Sequence, residues 1–255
     1  MKGRELLIYL AIKYQGVWND IYEAICHREN VNSNDVAESI ASLKCQTLTI
    51  LDDEYPSSFK AIYHPPFVLF YYGHLNLIAD YKKNLAVIGS RENTEYGRAM
   101  TEKIVKEIAA RLNIVSGLAR GIDTIAHQSC LENGGRTIAI LGSGIDVCYP
   151  KSNQLLYEEI KKNHLLLSEY PNNCEPSKEH FPERNRLIAA CSTGVLVTEA
   201  KAKSGTIITV GHILDLGREV LCVPHRADEK SQCNRLIIGG ATLVESGDDV
   251  LYAIQ

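Results

Sequence analysis

From Leu85 to the end of the chain, short apolar runs alternate with glycine-marked turns and stretches of helical spacing, and this rhythm fixes the fold class. The runs are 85–89, 113–116, 136–141, 164–168, 194–198, 219–223 and 241–245. Between them 96–111, 122–132, 153–162 and 205–216 carry apolar residues at helical intervals. A strand joined to the next by a crossover helix runs parallel to it, and a parallel sheet is covered on both faces. The expectation is an α/β protein with a parallel sheet between two helical layers. Ligands of such sheets bind beyond the carboxyl ends of the strands.

The first eighty residues read differently. Leu6, Leu7, Leu10 and Ile12, then Val17, Ile21, Ala24 and Ile25, then Val36, Ile40 and Leu43 predict three short amphipathic helices, the third with a capping box from Asp35 to Glu38. Leu48 to Leu51, the turn Asp52 to Pro56, and Phe67 to Tyr72 closed by Gly73 read as a connection. The organisation expected is a small helical domain plus linker over 1–80 and the sheet domain over 81–255. The aromatic cluster Phe67, Phe70, Tyr71 and Tyr72 reads as packing at the junction rather than as a platform for bases.

The formal charge of −4 excludes a protein that coats nucleic acid with its whole surface, so any anion site is a local patch. No apolar run approaches the roughly 20 residues needed to cross a bilayer, and Met1 to Glu5 leads into no signal core; the expectation is a cytoplasmic protein without membrane contact. Eight scattered cysteines in apolar contexts read as free thiols. Cys222, His225 and Cys233 are the nearest approach to a metal cluster, but they lack the second close Cys/His pair of a zinc ribbon, and no metal is expected.

The turns carry the chemistry. Gly89-Ser90-Arg91 follows the run 85–89 and lets a phosphate approach bare backbone beside a guanidinium. On its own it is equally an ordinary strand-to-helix turn. Ser116 to Asp123 contains Ser116, Gly117, Ala119 and Gly121, which keep bulk away where a helix begins. Asp123 and His127 share one face of that helix and read as structural hydrogen-bonding groups. Leu141 to Asp146 ends the third strand, and Lys151 stands near the next helix start. Phe181 to Arg186 brings Arg184, Asn185 and Arg186 to a helix start, and Ala200 to Thr206 offers Ser204, Gly205 and Thr206 after Glu199. Small-residue helix starts at several corresponding strand ends, with Arg91, Arg120, Lys151, Arg184 and Arg186 beside them, point to one composite polyanion site.

Through these segments, with Ala126-His127, Tyr149-Pro150 and Asn153, Ser168 to Pro171, and Asn234 to Ala241, residues 48 to 251 resemble the DNA-processing protein A family, also called DprA or Smf. The resemblance implies an extended Rossmann-like domain without a nucleotide cofactor, preceded by a helical domain of the sterile-alpha-motif type. It implies cooperative binding of single-stranded DNA by a homodimer, protection of DNA in natural transformation, and loading of the RecA recombinase, with no catalysis. Motif matching assigns phosphate contact to Arg91 and Lys151. It assigns the pocket lining to Ser116, Gly117, Arg120, Asn185, Arg186, Ser204 and Gly205, and the dimer contact to 236–252.

Two positions depart from the family pattern. Pro224 is followed by His225 rather than glycine, and Cys233 stands before Asn234 where glycine is usual. The winged-helix tail of many members has no counterpart up to Gln255. The alternatives are a nucleotide-processing, phosphoribohydrolase-like enzyme using Glu199 as acid or base, and a structural or regulatory protein that lost DNA binding. Against the enzyme, the Pro-Gly-Gly turn of such hydrolases is missing.

Overall fold

The computed structural model describes residues 2–201, 204–229 and 231–255. Helices α1 (Gly3–Lys13), α2 (Trp18–Cys26) and α3 (Ser33–Ala41) open the chain as the periodicity predicts. The third begins earlier than expected: Asn32, not Asp35, caps it by accepting from the amide of Asn34 at 2.8 Å. Strands β1 (Gln46–Thr49) and β2 (Val68–Gly73) follow, with the short helix α4 (Ser57–Lys60) between them.

The regular alternation then runs β3 (Asn84–Gly89), α5 (Glu95–Ile108), β4 (Asn113–Ser116), α6 (Ile122–Glu132), β5 (Thr137–Leu141), α7 (Gln154–Asn163) and β6 (Leu165–Ser168). It continues with α8 (His180–Cys191), β7 (Gly194–Glu199), α9 (Gly205–Asp215), β8 (Glu219–Cys222), α10 (Gln232–Ile238), β9 (Thr242–Leu243) and α11 (Gly247–Ala253). Every strand expected from Leu85 onward is present.

The sheet order is β1-β2-β6-β5-β4-β3-β7-β8-β9. From β6 to β9 all neighbours are parallel, whereas β2 pairs antiparallel with both β1 and β6. The sheet is therefore mixed, and it crosses the boundary expected at residue 80. The runs read as a connection are strands, because β2 covers the otherwise open edge of β6. Phe70 at 0% exposure and Tyr71 at 9% are core residues, as the packing reading of that aromatic cluster holds.

Alternation along each strand divides the core. Ala86, Ile88, Val115, Ile138 and Ile140 face α8 and α9 with Leu187, Ile188, Val210 and Ile213. Leu85, Val87 and Ile114 face α5 and α6 with Ile104, Ile108, Ile122 and Ile125. Leu7, Ile8, Leu10 and Ala11 of α1 share a third cluster with Phe70, Leu141 and Leu166, so the opening helices rest on the sheet.

β3 lies at the centre. The chain builds outward from it through β4, β5 and β6, then returns to β7 on its other side. The carboxyl ends of β3 and β7 thus flank a topological switch point, where crossovers diverge to opposite faces and leave a crevice.

Candidate nucleic-acid interface

An open cavity of about 750 Å³ occupies that crevice. Its wall takes Ile88 to Glu92 from the end of β3 and the loop after it, Ala119 from the loop after β4, Asp123 from the first turn of α6, and Tyr149 from the loop after β5. Lys178, Phe181, Pro182, Arg184, Asn185 and Ile188 contribute the side formed by α8, and Lys201 and Ser204 to Thr206 the side following β7.

The loop after β3 is pinned at both ends. The Ser90 amide donates to the carbonyl of Glu199 at 2.9 Å, and the Ser90 carbonyl accepts from the Ile122 amide at 3.1 Å. Gly121, at φ +77°, passes so close that a Cβ would stand 2.2 Å from that Ser90 carbonyl. Glu199 accepts from both the amide and the hydroxyl of Thr94 at 2.8 Å, and Thr94 in turn caps α5 through the Gly97 amide. Arg91 remains exposed, with its guanidinium 5.3 Å from the centre of the Phe181 ring. Tyr149 leans on the same ring at 5.6 Å.

The floor holds two buried side chains of opposite charge. Asp123 accepts from the amides of Gly117 at 3.1 Å and Ala119 at 3.4 Å in the loop ahead of α6, a structural hydrogen-bonding role as expected, although it does not cap the helix. Arg184 crosses above, donating from Nη1 to the carbonyls of Gly117 and Ile140. Gly117 is glycine because a Cβ there would meet the guanidinium at 2.5 Å. Burial pushes Arg184 down to about 10, against the pull of Asp123, while burial raises the Asp123 carboxyl against the pull of Arg184. His127 bonds Thr137 Oγ1 through Nδ1 at 2.6 Å, a structural contact between α6 and β5.

The expected site residues separate into four groups. Arg91, Asn185, Ser204 and Gly205 line the cavity together. Ser204 Oγ is buried with no hydrogen-bond partner among the described residues, a polar atom of the kind a ligand satisfies. Ser116 and Gly117 lie beneath: Ser116 donates to the Val87 carbonyl at 2.7 Å and is wholly buried. Arg120 and Lys151 are exposed on flanking loops, outside the lining.

Arg186 is held in a buried ion pair and is not among the residues that line the cavity. Its Nη2 donates to both oxygens of Glu169 at 2.8 Å, and both side chains are buried. The guanidinium is committed to this pair, because an unpaired carboxylate at such a depth is costly. Of the segment Ala200 to Thr206, Ala202 and Lys203 lie outside the described residues.

Sequence reasoning did not single out Lys178, Lys201, Tyr149 or Phe181, and placed Arg184 among the cations without a pocket role. Lys201 bonds Glu92 at 3.0 Å across the mouth. The clue to Lys178 was its place three residues ahead of Phe181, just outside the motif. The lining therefore holds four cations, Arg91, Lys178, Arg184 and Lys201, against Glu92 and Asp123, in a chain whose formal charge is −4.

A cationic crevice at the switch point of a Rossmann-like sheet, walled by small-residue turns and two aromatic rings, defines a polyanion-binding α/β protein. A family model described as DNA recombination-mediator protein A matches residues 46–255, and the chain belongs to that family. DNA processing protein DprA of Streptococcus pneumoniae is 46% identical over 214 residues, 83% of this chain and 75% of that protein. Protein Smf of Synechocystis is 39% identical across 92% of this chain and 60% of its own length.

Among solved structures, DNA processing protein A from Streptococcus pneumoniae superposes with a TM-score of 0.81 at 38% identity, covering 98% of this chain and 93% of that one. DNA processing protein A from Helicobacter pylori, described for its single-stranded DNA binding mode, gives 0.75 at 30% identity, covering 83% and 96%. Among the described residues no helix is long and apolar enough to cross a membrane.

Proposed function

We propose that this chain is a non-catalytic recombination mediator that holds single-stranded DNA in the crevice between β3 and β7. The observation that carries the reading is Arg91 lying over Phe181 at the cavity mouth. A guanidinium beside an aromatic ring sets a charge for a phosphate next to a π surface on which a base can stack, the combination used where bases are gripped without regard to sequence. Arg91, Lys178 and Lys201 reach the backbone, Ser204 Oγ and the Gly205 start of α9 receive phosphate oxygens, and Asn185 aligns them. Arg120 and Lys151, exposed beside the cavity, extend the contact to neighbouring phosphates, while Ser116, Gly117 and Arg186 shape the floor. DNA contact belongs to the sheet unit 81–255, with the helices of 1–80 as its buttress. A homodimer through 236–252, where Ile238, Leu243 and Tyr252 are exposed, and engagement of RecA complete the reading, in the cytoplasm and without a cofactor.

Weighing against the enzymatic alternative, Glu199 Oε2 already accepts from both the amide and the hydroxyl of Thr94. Titration of single-stranded against duplex oligonucleotides at two salt concentrations tests the proposal. Preference for the single strand with steep salt dependence is expected. Equal affinity for both, or release of free base from a nucleoside monophosphate, overturns it.

A further inference from the structure

Outside the crevice, aromatic rings pile up on the same edge of the sheet. Trp18, the first residue of α2, stacks on His64 at 4.0 Å with the planes 14° apart, and His64 stacks on Tyr63 at 3.8 Å and 26°. Tyr22 and Phe67 lie nearly parallel to the Trp18 ring, each at 5.1 Å. Trp18 Nε1 donates to the Pro65 carbonyl at 2.8 Å, which fixes the indole in the pile. The pile ends in Tyr63, which is 80% exposed, so the ring face turned away from His64 is open. An exposed ring held flat against its neighbours is a bare π surface rather than core packing.

Topology puts this pile beside the crevice. β2 runs antiparallel to β6 with Phe70 opposite Ser168, so the loop that carries Tyr63 and His64 from α4 into β2 emerges at the carboxyl edge of β6. The loop ahead of Trp18 rests on that edge too: a Cβ on Gly16 would stand 2.5 Å from the Glu169 carbonyl and 3.0 Å from the Tyr170 ring. Tyr170 stacks on His180 at 4.0 Å, and His180 adjoins Phe181 of the cavity wall. Rings therefore follow one another from the crevice, across the start of α8, to Tyr63.

We infer that the pile is a second stacking platform, on which a base of a single strand leaving the crevice lies against Tyr63. The inference rests on the crevice as the DNA site, and it extends DNA contact beyond the sheet unit to α2 and the loop before β2. Every base has a π face, so the platform accepts any sequence. Lys60 and Asp20 are exposed beside the pile and Glu183 of α8 faces His64, so no cationic patch is present there. The grip is stacking rather than counterion release, and it adds affinity with almost no change in salt dependence.

The test uses the full chain with thymidine oligonucleotides of about 6 and about 20 residues, the shorter filling the crevice alone. Tyr63→Ala, at an exposed side chain, is expected to weaken the longer strand about tenfold or more relative to the shorter, with the salt slope unchanged. Tyr63→Phe keeps the ring and is expected to keep the parent's ratio. Irradiation of the longer strand carrying iodouracil is expected to crosslink the peptide of Tyr63 as well as that of Phe181. An unchanged ratio in Tyr63→Ala, with crosslinks to Phe181 alone, overturns the inference and leaves the crevice standing. Crosslinks to neither peptide overturn the crevice reading together with it.

Discussion

Replacing Arg186 with methionine separates a phosphate contact from a structural ion pair. In the folded chain Glu169 would keep its burial, with a side chain 6% exposed, and lose the partner that holds both its oxygens at 2.8 Å. Removing one member of a buried pair costs about 3–5 kcal/mol. At the 2–4 °C per kcal/mol typical of domains this size, the midpoint falls by roughly 6–20 °C. Part of that cost depends on pH. Burial already raises the Glu169 carboxyl, and without Arg186 nothing comparable opposes it. The folded state of the variant then binds a proton more readily than the unfolded state, so its stability increases as pH falls toward the ordinary carboxylate range. Urea unfolding from pH 8 to pH 5 measures both effects. The double change Glu169→Leu with Arg186→Met is expected to recover most of the loss, because a well-packed apolar pair replaces a buried ionic one at little net cost. A single variant within 1 kcal/mol of the parent that binds single-stranded DNA many-fold more weakly would refute the reasoning and return Arg186 to the interface.

Arg91→Ala is expected to leave stability nearly unchanged, since the side chain is exposed, while lowering single-strand affinity and reducing the slope of log affinity against log salt by about 0.7; a salt series followed by fluorescence anisotropy reads both. Phe181→Ala removes the ring beneath Arg91 and should cost about 1–3 kcal/mol of binding, with much the same loss on oligonucleotides of different sequence. Gly117→Ala drives a methyl to 2.5 Å from the Arg184 guanidinium, and displacing that group from its two carbonyls should lower stability by about 1–3 kcal/mol on thermal unfolding. Light scattering at micromolar concentration is expected to show a dimer, and Ile238→Glu, at a side chain 76% exposed, is expected to yield a monomer without loss of the fold.

What the sequence determined by itself is local. Apolar runs such as Leu85 to Gly89 and Gly194 to Thr198 announce buried parallel strands because both faces of each are covered, so nearly every residue is apolar. Gly117 and Gly121 mark close backbone approach because no larger residue fits, and the loops that contain them were legible as a binding edge for that reason. Tertiary structure alone decided how each cation is used. Arg184 and Arg186 stand two residues apart in one motif, yet helical geometry turns them to different faces of α8, one over Gly117 in the cavity and the other onto Glu169. Nothing in the motif distinguishes them, since Glu169 lies seventeen residues away and meets Arg186 only once β6 and α8 pack. The same holds for β1 and β2, whose short runs become strands only because β6 offers them an edge. It holds too for His225 and Asn234, nine positions apart on a loop and a helix, whose backbone and side chain bond each other once α10 folds.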